Sequence, residues 1–436
     1  MTEPHAASRR HSRPPRLPVP SLHPGERVRG SAILEENPEC GVVLWESYRN
    51  VGDWATTPRA RRVPDLFGAG AAGRRAEQLS GTGLPDDTAR AALETIRAMV
   101  ADPGRARGRA LALACRRISA WAGEQGRPAT QFYFAAAAGL CVPDDARYAF
   151  QAGRLARDLA RWDTAELWLE FAAAVARRGR DRETQAAAVI GLGNMFYRQG
   201  FYRKARDTHL AGLALAQRYD LREYRGRALH DLFVVAIELR DARAAEGYAS
   251  AALDAYGPAH PLVPALAHDV AYFWLAQGDA ARALPVLRAV LPHLDRPDRR
   301  VRVLASAARA AAAIGDRAGY VELVREVRGS GGDSLVMGAL AGALLETAVG
   351  ASLLHSQTLA GELLDEALQV ARERGEVDVV ARVEELRGSI SAEVVDEVRA
   401  PAAGQGTDEL ARELVSCLQA VTGGDADTPA APPAGE

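Results

Sequence analysis

The sequence predicts an all-α chain, a solenoid of about seven helical hairpins between disordered ends. Three observations carry this. Alanine is about a fifth of the 436 residues while aromatics are 6%, a balance that suits closely packed helices better than a β-sandwich. No proline stands between Ala146 and Gly257, and proline breaks helix interiors. Small residues return at Ala129, Ala165, Ala205, Ala245, Ala283 and Ala360, with Tyr320 interrupting the series. The steps are 36, 40, 40, 38, 37 and 40 residues. A period in that range marks an array in which each hairpin buries its apolar face on its neighbours.

Taken in order, residues 1–30 are rich in proline and arginine and poor in large apolar residues, so they read as a disordered basic arm. Arg9-Arg10 is a twin arginine with no hydrophobic stretch after it, which argues against export. Residues 31–104 hold N-terminal helices and a loop. Asn37-Pro38-Glu39 predicts a helix start, with a side-chain cap, a first-turn proline and an acid near the positive end of the dipole. That helix would carry Val43, Leu44, Trp45, Tyr48, Val51 and Trp54 as packing residues and stop before Pro58. The Gly- and Arg-rich stretch 58–83 reads as a loop with a short turn at Pro64–Phe67. Asp86 should cap a second helix whose Ala89, Ala92, Leu93, Ile96, Met99 and Val100 share one buried face. The repeat array spans 105–390. A capping region follows at 391–422, with a helix at Asp408–Val421, and residues 423–436 form a disordered tail.

The clearest unit is 186–216. Leu192-Gly193 is followed by Phe196, Gly200, Tyr202, Ala205, Gly212 and Ala216. Gly193 and Ala205 would let two helices cross closely, Gly200 would relieve the turn, and Phe196 and Tyr202 would fill the gap. This unit resembles a tetratricopeptide repeat, and the weaker units extend the resemblance over 105–390. A bacterial tetratricopeptide-repeat protein is implied, folded as a right-handed superhelix whose first helices line a concave groove. Carried onto this sequence, the groove stripe would hold Arg147, Phe150, Arg154 and Arg157, then Ile190, Asn194, Tyr197 and Arg198, then Arg227 and His230, then His268 and Tyr272. Arginine forks beside aromatic surfaces suit an acidic or C-terminal carboxylate ligand. His230-Asp231 and His268-Asp269 recur at equivalent positions, either touching a peptide or hydrogen-bonding between adjacent helices. The arginines fit a solvated face equally well. The lysine–asparagine clamp of chaperone-binding members is lacking, since the one lysine, Lys204, falls in a second helix and only Asn194 matches.

Charge and motifs narrow the function. Lys and Arg total 54 against 56 Asp and Glu, which argues against a generic nucleic-acid coat and leaves the basic arm as the place for any nucleic-acid contact. Four scattered cysteines, with no CxxC pair, argue against a disulfide framework or a zinc site and for a reducing, cytoplasmic setting. The most apolar stretch, 337–354, carries Glu346 in its middle and is expected to be a buried helix rather than a membrane span. There is no phosphate loop, dinucleotide fingerprint, zinc-protease helix or nucleophile elbow; GAGAAG at 68–73 lacks both the preceding strand and the following Lys-Ser/Thr. No cofactor, metal or catalytic residue is expected. The function expected is a non-enzymatic scaffold that binds a protein or peptide. The alternative is a transcriptional or signalling regulator that senses peptides and uses its N-terminal region as effector.

Overall fold

The computed structural model describes residues 20, 31–68, 71–79, 86–330, 338–391 and 408–423; among them no strand occurs. Most of the basic arm, the 424–436 tail and residues 392–407 lie outside the described residues. The chain divides into two compact units, Met1–Tyr224 and Arg225–Glu436. In each, helices consecutive in sequence pack on one another.

The first unit opens with α1 (Ser31–Glu36), α2 (Gly41–Thr56), a 3-10 turn at Arg59–Arg61 that runs into α3 (Arg62–Asp65), α4 (Ala71–Gln78) and α5 (Asp87–Ala101). Three hairpins follow: α6 (Gly108–Glu124) with α7 (Pro128–Cys141), α8 (Ala146–Asp158) with α9 (Trp162–Gly179), and α10 (Arg182–Arg198) with α11 (Tyr202–Arg218). α12 (Arg222–Glu238) begins where this unit ends. It pairs with α13 (Ala242–Tyr256) in the second unit, followed by α14 (Val263–Ala276) with α15 (Ala280–Val290), α16 (Pro297–Ala313) with α17 (Arg317–Gly329), and α18 (Ala339–Leu353) with α19 (Gln357–Arg374). Two further helices are α20 (Val377–Ser391) and α21 (Asp408–Gly423).

One turn recurs in all seven described hairpins. Its key residue has positive φ: Gly126, Ala160, Gly200, Arg240, Gly278, Gly315 and His355. The N–H of the next residue donates to the carbonyl five positions back, as from Arg161 to Ala156, Phe201 to Phe196 and Asp279 to Trp274, at 2.8–2.9 Å. This is the Schellman closure, which satisfies carbonyls orphaned at a helix end. It also fixes a register. Five residues beyond the turn stand Ala165, Ala205, Ala245, Ala283, Tyr320 and Ala360, all buried, each the fourth residue of its second helix. In the first hairpin that position belongs to Gln131, so Ala129 stands two residues too early and the first step is 34. Tyr320 fits because the next hairpin makes room: its Cε2 lies 2.8 Å from where a Cβ on Gly350 would be.

Four other expectations need correction. Asn37 does not cap a helix at Pro38. α2 starts at Gly41, and the Asn37 side chain instead bonds Ile33 O and Thr130 Oγ1 and accepts from Arg127. The 58–83 stretch is not mainly loop. Its alanines support α4, whose Ala76 is buried and which packs on α5. Gly193 makes room for the buried ring of His209 rather than for Tyr202, which is half-buried beside Tyr197. Finally, α21 does not cap α20 but packs on α15 and α14. Other expectations match the structure. Asp86 accepts from Ala89 N at 2.7 Å, the six apolar residues of α5 are buried, and Tyr48, Trp54 and Phe196 are packing residues. No described helix is long and apolar enough to cross a membrane. Glu346, inside the most apolar stretch, pairs with Arg309 at 2.8 Å.

Candidate binding face of the first helices

The turn register aligns the expected groove residues. Phe150 and Ile190 stand ten residues before their turn residues, Ala160 and Gly200; Arg154 and Asn194 stand six before, and Arg157 and Tyr197 three before. In the second unit His230 and His268 occupy the first of these columns and Tyr272 the second. Offsets of three, four and seven keep a column on one helix face.

In the first unit α8 and α10 pack side by side. Asp158, at the end of α8, accepts from Arg157 Nη2 at 2.9 Å and from Arg198 Nη1 at 3.2 Å. Two guanidinium groups thus share one carboxylate, which leaves a local excess of positive charge. The Arg157 side chain is 17% exposed and that of Arg198 45%. Arg198 also lies over the Trp162 ring at 6.0 Å. The rings of Tyr197 and Tyr202 pair nearby, 5.6 Å apart. Arg154 is half-buried on this face, with its Nε out of reach of solvent. Ile190 is buried against Gly212, and Phe150 lies against Gly191. Asn194 is half-buried on the same face.

Arg147 is not brought to this cluster. It sits ten residues from Arg157, about 15 Å along the helix, and grips Asp145 through two hydrogen bonds of 3.0 and 2.8 Å. That grip holds the Asp145 carboxyl below its usual range. Together they line an open cavity of about 810 Å³ with Arg109, Asp144 and Asp181.

In the second unit one aspartate is shared by both histidines. His230 Nε2 lies 3.0 Å from Asp269 Oδ2, and His268 Nδ1 lies 3.1 Å from Asp269 Oδ1. The first contact ties α12 to α14. Burial acts to raise the Asp269 carboxyl, but hydrogen bonds from the two histidines outweigh it and hold it at about 2. The His230 ring also meets Tyr256 edge-on, and Tyr272 stacks near His268 with 49% of its surface exposed. Arg227 is exposed on α12. His230 therefore bonds between adjacent helices, whereas His268 bonds its own neighbour within α14. Arg309 and Glu346 make a similar tie between α16 and α18.

Sequence reasoning misses one residue of this face, Asp158. The signal for Asp269 is present in the repeated His-Asp pair; only the hairpin register shows that His230 reaches the aspartate one repeat on. Among the described residues no cluster of three or more His, Cys, Asp or Glu side chains could hold a metal ion. Cys115 and Cys141 are buried, and burial pushes both thiols up, Cys141 to about 12.

No family model and no curated protein matches the chain. Among solved structures it is similar to a Rap protein complexed with competence and sporulation factor, at 12% identity over 80% of this chain and 98% of that one, with a TM-score of 0.39. A second is a circular tandem repeat protein with novel repeat topology, at 15% identity over 88% and 96%, with a TM-score of 0.19. Likenesses this distant carry no functional inference.

Proposed function

We propose that the protein is a non-enzymatic, tetratricopeptide-like scaffold, with residues 105–390 as its array, and that the first-helix face binds a peptide or protein segment bearing a carboxylate. The observation that carries this is the Arg157–Asp158–Arg198 cluster beside Tyr197 and Trp162. A ligand carboxylate can exchange with Asp158 and take the fork it holds. Charge-assisted hydrogen bonds of that kind are worth about 1.5–3 kcal/mol when shielded. α1 and α2 are built into the first hairpin, where Glu36 accepts from Ala129 N, Thr130 N and Thr130 Oγ1 at 2.7–2.8 Å.

The test uses peptides selected from a display library with free, acidic C-termini. Binding is measured by calorimetry on wild type and on Arg157→Ala/Arg198→Ala. The double variant should bind at least about tenfold more weakly and keep its helical circular dichroism, since the Arg198–Asp158 pair is 45% and 44% exposed and surface pairs add little stability. Affinity should also fall with salt. Equal affinity in both proteins would refute the assignment.

A further inference from the structure

The near-neutral chain is polarised in charge. Met1–Tyr224 carries 34 Lys and Arg against 25 Asp and Glu, whereas Arg225–Glu436 carries 20 against 31. Arginines on other helices often pair with an acid one turn away, as Arg90 does with Asp87, Arg97 with Glu94 and Arg282 with Asp279.

α6 departs from that habit. Its inner face is buried through Leu111, Ala112, Ala114, Cys115, Ile118 and Ser119. Its outer face carries Arg109, Leu113, Arg116 and Arg117, all exposed, with Leu113 at 38%. Among the described residues none of these three guanidinium groups makes an ion pair or hydrogen bond. The charge of Arg109 is felt by Asp145, but Arg147 already grips that carboxylate. The one acid of α6, Glu124, stands seven residues beyond Arg117, about 10 Å along the axis.

The spacing of the stripe selects a form of partner. Arg109, Leu113 and Arg117 stand at i, i+4 and i+8, in steps of about 6 Å. Alternate residues of an extended peptide share a side in steps of about 6.6 Å. A segment laid along α6 therefore sets an acidic residue on Arg109, an apolar one on Leu113 and a second acidic one on Arg117. Arg116 stands ten residues before Gly126, in the column of Phe150 and Ile190, so the stripe continues the first-helix face. A nucleic-acid strand is a poorer match, because its uniform backbone charge offers nothing apolar to Leu113.

We propose that α6 is a second anion-binding stripe, made for an extended protein segment that carries an acidic, an apolar and an acidic residue at alternate positions. It rests on the carboxylate-binding reading of the first-helix face and adds a separate contact for the same class of partner.

The probe is a fluorescent peptide, acetylated and amidated, with Glu, Leu and Glu at alternate positions of a Gly/Ser frame. Anisotropy is read on the full chain. The probe should bind saturably, and more weakly as salt rises. Arg109→Gln/Arg117→Gln should weaken it at least about fivefold, whereas Arg157→Ala/Arg198→Ala should leave it unchanged. Moving the second Glu by one position turns it to the opposite side and should cost at least about threefold. The substituted α6 residues are exposed, so circular dichroism should not change. If the α6 variant unfolds, the register dependence in wild type decides. Absence of saturable binding, or an affinity blind to both the α6 substitutions and the peptide register, would overturn the proposal. Loss confined to Arg157→Ala/Arg198→Ala would overturn the stripe and leave the earlier reading standing. Tighter binding of an oligodeoxythymidine of equal charge would replace it with a nucleic-acid site. Salt-dependent self-association that excludes the probe would replace it with a contact to the acidic unit of a second copy.

Discussion

Tyr320→Ala separates the repeat pattern from local packing. Five of the seven equivalent positions are alanine, so the pattern alone makes this substitution neutral or better. The structure requires the opposite. Tyr320 is 1% exposed, its hydroxyl donates to Thr347 O at 2.7 Å, and burial keeps that hydroxyl protonated well above the usual tyrosine range. Truncating a buried aromatic to alanine costs about 3–5 kcal/mol, of which the hydrogen bond is about 1 kcal/mol. For a unit of about 200 residues that lowers the melting temperature by about 6–20 °C. Tyr320→Phe should lose only the hydrogen-bond share. Gly350→Ala places its Cβ 2.8 Å from the phenol ring in wild type and is expected to destabilise. In the Tyr320→Ala background the ring contact is gone and the approaches to Ala312 Cβ at 3.3 Å and Arg309 Cα at 3.4 Å remain, so the same change should cost less than it does in wild type. Thermal unfolding followed by circular dichroism measures all of these variants against wild type. A loss below about 1 kcal/mol for Tyr320→Ala, or an equal effect of Gly350→Ala in both backgrounds, would refute the packing argument.

Three further outcomes rest on the same geometry. Ala205→Leu should cost about 1–3 kcal/mol by overpacking, since Ala205 is fully buried; an unchanged melt would remove the register of the third hairpin. Ala160→Gly, Arg240→Gly and His355→Gly, at φ of 54–57°, should each stabilise by about 0.5–1 kcal/mol, the left-handed cost of about 1–2 less the entropy of glycine; Gly278→Ala should do the reverse, and denaturant midpoints check both. Asp269 is depressed, so the stability of its link is present above the ordinary aspartate range and lost only as pH falls through about 2. Carboxyl carbon resonances should show no Asp269 titration between about pH 3 and 5, whereas His230→Gln/His268→Gln should bring its midpoint toward the ordinary aspartate value near about 3.9. A wild-type midpoint already there would contradict the shared hydrogen bonds.

Local signals are legible in the sequence where one residue type does one physical job. Asp86 reads as a cap, the apolar face of α5 as a buried stripe, and the small fourth residue of most second helices as a crossing point. The first hairpin slips because Ala129 is one among many alanines of α7, and the turn, not the alanine, sets the register. Turns at Ala160, Arg240 and His355 are hard to see because they take the left-handed conformation without glycine. Tyr320 is an exception whose reason lies thirty residues on, at Gly350. Side-chain partners are least legible. Arg157 looks like a free cation in sequence because its neutralising neighbour, Asp158, is shared with an arginine forty residues away. The seat of α21 is invisible for the same reason: nothing in a leucine stripe says which distant surface it meets.

The ligand face makes the sharpest demand. Arg157 and Arg198 come from successive hairpins and meet only if the array folds in this register, so their joint contribution reports architecture and function together. Calorimetry of a library-selected acidic peptide against wild type, the two single alanine variants and the double variant measures it directly. The result expected is a loss of at least about tenfold in the double variant, with the single losses failing to add because both groups hold one carboxylate. Unchanged affinity, or losses that add as independent sites, would contradict a shared carboxylate clamp on the first helices.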